Sequence, residues 1–262
     1  MRVLLIGDIV GPSGCRAVAE LLPGIVSDYT IDVTIANAEN AAGGFGLTKT
    51  VAQELFACGV HVLTSGNHIW DKANIVKFID RDSRLLRPAN FPAETPGKGS
   101  VILDNGPAER IGVLNLAGRV FMDSLDCPFR AARREIDLLH EKTPVIVVDM
   151  HAEATAEKIA MGWFLDGSAS AVLGTHTHVQ TADEKILPQG TAYITDVGMT
   201  GSADSVIGIR KEQALKKFLT QMPVHFATAE NDVQLQGVLV AIDPASGKST
   251  HIERIKRTCA QQ

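Results

Sequence analysis

Short apolar runs alternate with longer segments of helical periodicity along much of the chain. Runs that predict strands occupy residues 3–6, 31–36, 61–63, 145–148 and 171–173. Segments that predict helices occupy residues 16–26, 49–58, 71–79, 128–141 and 153–164. Apolar residues in these longer segments recur with the period of a helix that is buried on one side. Because alternating strands and helices build layered folds, we expect an α/β protein with parallel strands in its first half.

The second half of the chain changes in character. Residues 192–195, 233–242 and 250–255 have β-like patterns, and residues 243–247 supply the Pro, Ser and Gly of a turn. These segments predict a second sheet, partly antiparallel, that packs against the first sheet and leaves the helices outside. No linker, repeat or low-complexity stretch interrupts the chain. We therefore expect residues 1–262 to form a single domain of the α/β sandwich class.

Composition and charge narrow the class of protein further. The hydrophobic fraction of 45% and the net charge of −5 indicate a globular protein without an extended nucleic-acid surface. Four cysteines lie far apart with no C-x-x-C pair, which favours reduced thiols over a disulfide framework. The first residues predict a strand rather than a signal peptide, and no apolar run is long enough to predict a membrane span. We expect a cytoplasmic protein without membrane association.

Metal-ligand residue types follow five of the predicted strands. They are Asp8, Glu39, Asn40, Asn67, His68, His151, His176 and His178. In open α/β sheets, ligands bind outside the carboxyl ends of the strands. Loops at that edge would bring all five groups together, and the pattern therefore predicts one metal centre.

The residue types at these positions suit a pair of divalent ions. Carboxylate and amide oxygens favour manganese-like ions, and imidazoles favour iron or zinc. Both rings of an extended His-x-His segment project to the same side, so His176 and His178 can serve neighbouring ions, with Glu39 suited to bridging them. Two such ions roughly 3.5–4 Å apart can bind a phosphodiester and activate a bridging hydroxide for in-line attack. This chemistry predicts a phosphoester hydrolase.

Each residue also has a structural interpretation when it is taken alone. Asp8 could cap the helix that follows it, and Asn67 could be a turn residue. A lone His151 is more often a hydrogen-bonded core histidine than a metal ligand. The presence of suitable residues after all five strands favours a metal centre over these separate interpretations.

The sequence resembles the calcineurin-like metallophosphoesterases at Gly-Asn-His (residues 66–68) and His-Thr-His (residues 176–178). That resemblance implies an α/β/β/α sandwich with mixed sheets and outer helices. Three positions depart from the usual motifs. Val10 stands where the opening Asp-x-His has its histidine, Glu39 with Asn40 replaces the usual Gly-Asp, and Ile69 replaces the acid after Asn-His.

These departures match one branch, the YmdB-like phosphodiesterases, described as 2′,3′-cyclic-nucleotide 2′-phosphodiesterases. The sequence is similar to that branch in Gly-Asp-Ile-Val-Gly at residues 7–11, Asn-x-Glu-Asn at 37–40 and Thr-Ser-Gly-Asn-His at 64–68. Two later motifs also match, at residues 174–183 and 196–201, and Ser-Val-Ile-Gly follows at 205–208. The resemblance spans nearly the whole chain.

The resemblance implies a role for each residue of the centre. One ion would be held by Asp8, Glu39, Asn40 and His178. The other would be held by Glu39, Asn67, His151 and His176. Asn40 would compensate for the histidine that is missing at Val10, and His68 would be the general acid that protonates the leaving sugar oxygen. Iron or manganese is the metal that the family implies.

The leading functional hypothesis is therefore hydrolysis of 2′,3′-cyclic nucleotides or other small phosphodiesters. Two alternatives stay open: phosphomonoesterase activity at the same centre, and a metal-dependent nucleotide-binding regulator without turnover. Phe45, Trp70 and Met199 adjoin the site loops and are candidates for contact with a nucleobase. Symmetric homo-oligomers are common among such enzymes, and the sequence leaves the oligomeric state open.

Overall fold

The computed structural model describes residues 1–104 and 110–260, which form two mixed β-sheets packed face to face. The first sheet contains β1 (Arg2–Ile6), β2 (Asp8–Ile9), β3 (Val33–Asn37), β4 (Val62–Thr64), β11 (Met199–Ser202), β12 (Val233–Ile242) and β13 (Ser249–Thr258). Its order is β2-β11-β12-β1-β3-β4, and β13 also pairs with β12. Strands β1, β3 and β4 run parallel, whereas β12 is antiparallel to β1.

The second sheet is built from the middle of the chain. Its strands are β5 (Ser100–Asp104), β6 (Arg110–Ala117), β7 (Ile146–His151), β8 (Ala171–Thr175), β9 (Lys185–Ile186) and β10 (Ala192–Ile194). The order is β5-β6-β7-β8-β10-β9, with β6, β7, β8 and β10 parallel. The parallel strands of both sheets direct their carboxyl ends towards the residues predicted to bind metal.

Alternate residues of β1 belong to two different cores. Val3 and Leu5 pack in the core between the sheets, whereas Leu4 and Ile6 pack with the first two helices on the outer face. This division follows from the two-residue period of side chains along a strand. The helices are α1 (Gly11–Tyr29), α2 (Lys49–Ala57), α3 (Pro128–His140), α4 (Thr155–Phe164) and α5 (Lys211–Thr220). Helices α3 and α4 cover the outer face of the second sheet, so the predicted α/β/β/α sandwich is confirmed.

The prediction that the C-terminal strands form the second sheet was wrong. Strands β12 and β13 join the first sheet, where Leu239 of β12 is paired with Leu4 of β1. Only β10 among those segments lies in the second sheet. Apolar periodicity shows that a segment is a buried strand, but it carries no information about the neighbour with which the strand pairs.

The helix predicted at residues 71–79 was also wrong. Two short 3₁₀ turns, Ala73–Lys77 and Ile79–Arg81, occupy this region, and a third precedes it at Asn67–Trp70. Their i→i+3 bonds run from Ile75 N to Lys72 O and from Phe78 N to Ile75 O. Buried residues three apart satisfy a 3₁₀ turn as well as an α-helix, so the apolar spacing did not separate the two. The periodicity analysis also missed β5, β6, β11 and α5. No helix in the described ranges is long and apolar enough to cross a membrane.

Candidate metal centre

The eight predicted site residues come from loops and strand ends of both sheets. Asp8 follows β1, Glu39 and Asn40 follow β3, and the residues at 67–68 follow β4. His151 is the last residue of β7, and the His-Thr-His segment follows β8. The backbone N–H of His176, from the second sheet, donates to Asp8 Oδ2, from the first sheet, at 3.0 Å. The structure therefore brings the two sheets together at this point.

One group of ligand atoms converges on the imidazole of His151. Its Nε2 lies 3.1 Å from Glu39 Oε1, 3.2 Å from Asn67 Oδ1 and 3.0 Å from His176 Nδ1. A ring nitrogen offers one proton or one lone pair, so it cannot form three full hydrogen bonds. Such crowding is typical of ligands around a common ion. Glu39, His151 and His176 could hold a metal ion.

A second group of ligand atoms also adjoins Glu39 Oε1. Asn40 Nδ2 is 3.2 Å from Glu39 Oε1 and 3.3 Å from His178 Nε2, and that nitrogen is 3.7 Å from Asp8 Oδ1. Asp8 Oδ1 and Asn40 Oδ1 are buried without hydrogen-bond partners. An unpartnered buried oxygen is costly unless something else satisfies it. A half-turn of the Asn40 amide would direct its oxygen at the same point, so the donor set fits a second cation.

In His178 and His151, Nδ1 has a hydrogen-bond partner outside the centre, and this leaves Nε2 free to bind an ion. His178 Nδ1 lies 3.0 Å from the carbonyl oxygen of Ile207. His151 Nδ1 lies 2.9 Å from Thr175 Oγ1, and that hydroxyl donates to Asp149 Oδ1 at 2.6 Å. When Nδ1 donates its proton outward, the lone pair of Nε2 points into the centre.

Burial and mutual charge shift the pKa values in opposite directions. Burial raises the pKa of Asp8 to about 6. Burial would also raise the pKa of Glu39, but the charges of His151 and His68 outweigh it and lower the pKa to about 2. Burial opposes protonation of His151, yet Glu39, Asp8 and Asp149 raise its pKa to about 9. Burial and the charge of His151 lower the pKa of His176 to about 3. Strong shifts of this kind cluster at functional sites.

The backbone around the centre is tightly constrained. A Cβ added to Gly66 would lie 2.1 Å from His151 Cδ2 and 2.4 Å from Glu39 Oε2. His176 and His178 have φ angles of 96° and 62°, values that side-chain-bearing residues rarely adopt. Between them, the backbone N–H and the hydroxyl of Thr177 both donate hydrogen bonds to Asp196 Oδ2, at 3.0 and 2.6 Å. The fully buried Lys158 places Nζ 2.8 Å from the same oxygen.

His68 differs in its surroundings from the other seven residues. Its Nδ1 lies 2.8 Å from Asp71 Oδ2, its backbone N–H donates to Glu39 Oε2, and its ring packs edge-on against Phe45. The ring borders a cavity of about 400 Å³ that opens beside the centre. Apolar walls of this cavity come from Val10, Phe45, Ile207, Ile209 and Phe226.

A model of the YmdB-like protein family matches residues 4–255 of this chain. The chain belongs to this family. It is 50% identical over 256 residues to the 2′,3′-cyclic-nucleotide 2′-phosphodiesterase of Bacillus subtilis, covering 97% of this chain and 96% of the relative. The predicted resemblance to the YmdB-like branch is therefore confirmed.

Two solved structures are similar to this chain over almost its full length. A hypothetical protein from Thermus thermophilus superposes with a TM-score of 0.92 at 43% identity, covering 98% of this chain and 99% of that one. A novel phosphatase from Mycoplasma pneumoniae also gives a TM-score of 0.92, at 33% identity, covering 98% and 93%. Both of these proteins therefore share the fold of this chain.

The structure brings all eight residues predicted for the centre into one cluster. Phe45 lines the cavity as expected, but Trp70 packs against Phe91 instead, and Met199 is buried outside the cavity. Sequence reasoning missed Ile209 and Phe226 as cavity walls. It also missed Asp196 and Lys158 as supports of the His-Thr-His segment, although Asp196 begins a family motif that could have indicated a role.

Proposed function

We propose that this chain is a two-metal phosphodiesterase that hydrolyses 2′,3′-cyclic nucleotides at the 2′ bond. The observation that carries the proposal is the convergence of ligand side chains from both sheets, with Asp8 Oδ1 and Asn40 Oδ1 buried there without partners. The similarity to the Bacillus subtilis enzyme supports the choice of substrate. The cavity beside the centre is large enough for a small nucleotide, since ligand pockets begin at about 300 Å³.

Two sets of side chains would hold the ions. The first is Asp8, Glu39, Asn40 and His178. The second is Glu39, Asn67, His151 and His176. When bound, two divalent ions supply positive charge for the phosphate and activate water. The mixture of imidazole and oxygen donors suits iron or manganese.

The protein's own groups would prepare the reaction. With a pKa of about 2, Glu39 is ionised at neutral pH and can serve both ions. With a pKa of about 3, His176 is neutral and offers a lone pair. His68 would give its Nε2 proton to the leaving 2′ oxygen while Asp71 holds Nδ1–H at 2.8 Å. The apolar walls would position the nucleoside against these groups.

The direct test is to incubate manganese-loaded protein with 2′,3′-cyclic AMP and identify the product by chromatography. We expect 3′-AMP, and we expect none from a chelator-treated sample or from a Glu39→Gln variant. Appearance of 2′-AMP would contradict the assignment of the cleaved bond. A metal-loaded protein that forms no product would contradict the proposed activity.

The same experiment separates the two alternative functions. Further conversion of 3′-AMP to adenosine and phosphate would indicate phosphomonoesterase activity at the same centre. Tight binding of the cyclic nucleotide, measured by calorimetry, without product would indicate a regulator. A cytoplasmic location and assembly into a homo-oligomer stay predictions, which fractionation and light scattering would check.

A further inference from the structure

A second groove lies directly beside the proposed active site. It has a volume of about 610 Å³ and is lined by residues that include His178, Gln180, Ile207, Gln234, Arg254 and Lys256. We call it the β13 groove, since its two cations come from β13. His178 and Ile207 line both the groove and the active-site cavity. They form a ridge between the two, joined by the 3.0 Å contact from His178 Nδ1 to Ile207 O.

The charge of the β13 groove is opposite to that of the whole chain. The chain carries a net charge of −5, yet the lining of the groove contains Arg254 and Lys256 and no carboxylate. Arg254 Nε already has a partner in Glu184 Oε1 at 2.9 Å. Lys256 is exposed, and its ammonium group forms no ion pair with any residue of the described ranges. Lys256 therefore offers an unneutralised positive charge to a ligand, and the groove favours an anion.

The chemistry of the proposed substrate determines which anion fits. A 2′,3′-cyclic phosphate occupies the 3′ end of a ribonucleotide, so a longer chain can leave the active site only from the 5′ oxygen. The apolar walls at Phe45 and Phe226 suit the terminal base. The groove across the ridge then lies beside the terminal nucleotide, where a 5′-linked phosphate would continue.

We propose that the β13 groove binds the 5′-linked phosphate of an oligoribonucleotide that ends in a 2′,3′-cyclic phosphate. Short RNA ends of this kind are then better substrates than 2′,3′-cyclic mononucleotides. This inference rests on the proposed function and names a substrate class for the same site. A groove of this size accepts only the nucleotides next to the end, in keeping with the net charge of −5.

The kinetic test compares 2′,3′-cyclic AMP with ApA that carries a terminal 2′,3′-cyclic phosphate, using the manganese-loaded protein. We expect a higher kcat/KM for the dinucleotide. Lys256→Ala should lower that value about tenfold, mainly through KM, as expected for the loss of one charge-assisted contact to phosphate. The same variant should leave 2′,3′-cyclic AMP hydrolysis unchanged. Added salt should weaken the dinucleotide preference in the wild type but have less effect in the variant.

Arg257→Ala is the matched control, because it removes the same charge from the next residue of the same strand. Successive side chains of a strand face opposite sides. The Arg257 guanidinium accordingly lies against Tyr29, with Nη2 2.8 Å from the phenol oxygen. This variant should keep the dinucleotide preference. Equal losses in both variants, or equal losses for both substrates in Lys256→Ala, would overturn the proposal.

A binding measurement keeps this inference separate from the proposed activity. We would titrate the protein with ApA 3′-phosphate and with 3′-AMP, which need no turnover. The expected result is tighter binding of the dinucleotide in the wild type and loss of that difference in Lys256→Ala. If 2′,3′-cyclic AMP is not hydrolysed, the proposed function fails, but these titrations still show whether the β13 groove binds the extra phosphate. Equal affinity of the wild type for both compounds would contradict phosphate binding in the groove and leave the proposed activity unaffected.

Discussion

Among the site residues, His68 is the proposed proton donor, and its Nδ1 lies 2.8 Å from Asp71 Oδ2. We therefore expect His68→Ala to keep its metals while losing the proton donor. Hydrolysis of 2′,3′-cyclic AMP should fall about 10²- to 10⁴-fold. The rate of hydrolysis of a 4-nitrophenyl phosphodiester should fall much less, because its leaving group needs no proton. Steady-state kinetics with metal analysis would check both effects.

His251→Ala is a suitable control for that experiment. His251 is exposed on β13 and lies 3.8 Å from Glu253, away from the ligand cluster. The His251→Ala variant should retain full activity on both substrates. An equal loss for both substrates in His68→Ala would argue against a proton-donor role and in favour of a role in binding.

Gly66 shows how closely the backbone approaches the centre. In Gly66→Ala the new methyl group would overlap His151 Nε2, since an ideal Cβ would lie 2.2 Å from it. We expect loss of metal binding, measured by the metal content of the purified protein. Gly24→Ala is the control, because a Cβ at this position in α1 meets nothing within 4 Å. That substitution should stabilise the protein slightly, by up to about 1 kcal/mol. Normal metal content in Gly66→Ala would contradict the proposed position of the ions.

At the scale of elements, the segment after β8 shows how a fold holds a strained conformation. His176 and His178 both have positive φ angles, which cost of order 1–3 kcal/mol each for residues with side chains. Asp196, from the end of the neighbouring strand β10, accepts both donors of the intervening Thr177. The buried charge of Asp196 is in turn matched by Lys158 of α4. Two other elements thus keep the two imidazoles directed at the centre.

Asp196→Asn tests this support. Removing the carboxylate leaves Lys158 buried without its ion-pair partner, and breaking such a pair costs about 3–5 kcal/mol. We expect a loss of that order in the free energy of unfolding in urea, together with reduced metal content. Asp204→Asn breaks the exposed Asp204–Lys211 pair instead and should leave both quantities unchanged. A stable Asp196→Asn protein with full metal content would show that the loop holds its shape without this support.

At the scale of the whole molecule, the centre links the two sheets. The first sheet contributes Asp8 and Glu39, and the second contributes His151 and His176. An ion that binds these groups binds only the folded chain. It should therefore raise stability, by about 2.7 kcal/mol when free ion exceeds its dissociation constant a hundredfold.

This stabilisation should increase with pH. Without metal, the pKa of His151 is raised from 6.5 to about 9. The protonated form therefore stabilises the metal-free fold below pH 6.5, and this contribution is lost as pH rises through about 9. A metal ion must displace that proton, and below about pH 6 it must displace one from Asp8 as well. We expect the manganese-dependent rise in Tm to grow from pH 6 to pH 9. In His151→Ala both the rise and its growth with pH should be smaller, because one of the two ions loses a ligand. A rise in Tm that is constant over this range would contradict a protonated His151 in the metal-free protein.

The sequence by itself determined the fold class and the residues of the candidate centre. Both depend on local information: the period of apolar residues along a strand or helix, and the chemical type of the residue that follows a strand. Asp8, Glu39 and His151 were identifiable because each comes directly after an apolar run. The family motifs further divided these residues into two ligand sets. In the structure the two sets lie next to each other. The assignment of each set to one ion stays a prediction. So does the expectation that residues 1–262 form a single domain.

Only the tertiary structure decided how distant segments meet. The pairing of β12 with β1 joins residues more than two hundred positions apart, and the same apolar pattern would have suited either sheet. Lys158 and Asp196 are 38 residues apart. In the sequence they resemble an exposed lysine on a helix and an exposed acid in a loop, and only the fold shows that they form a buried ion pair. Phe226 likewise lines the active-site cavity only because the fold brings it next to residues that are distant in the sequence. Hydrophobic and polar patterns specify which side chains leave water, whereas packing between distant elements specifies which of them touch.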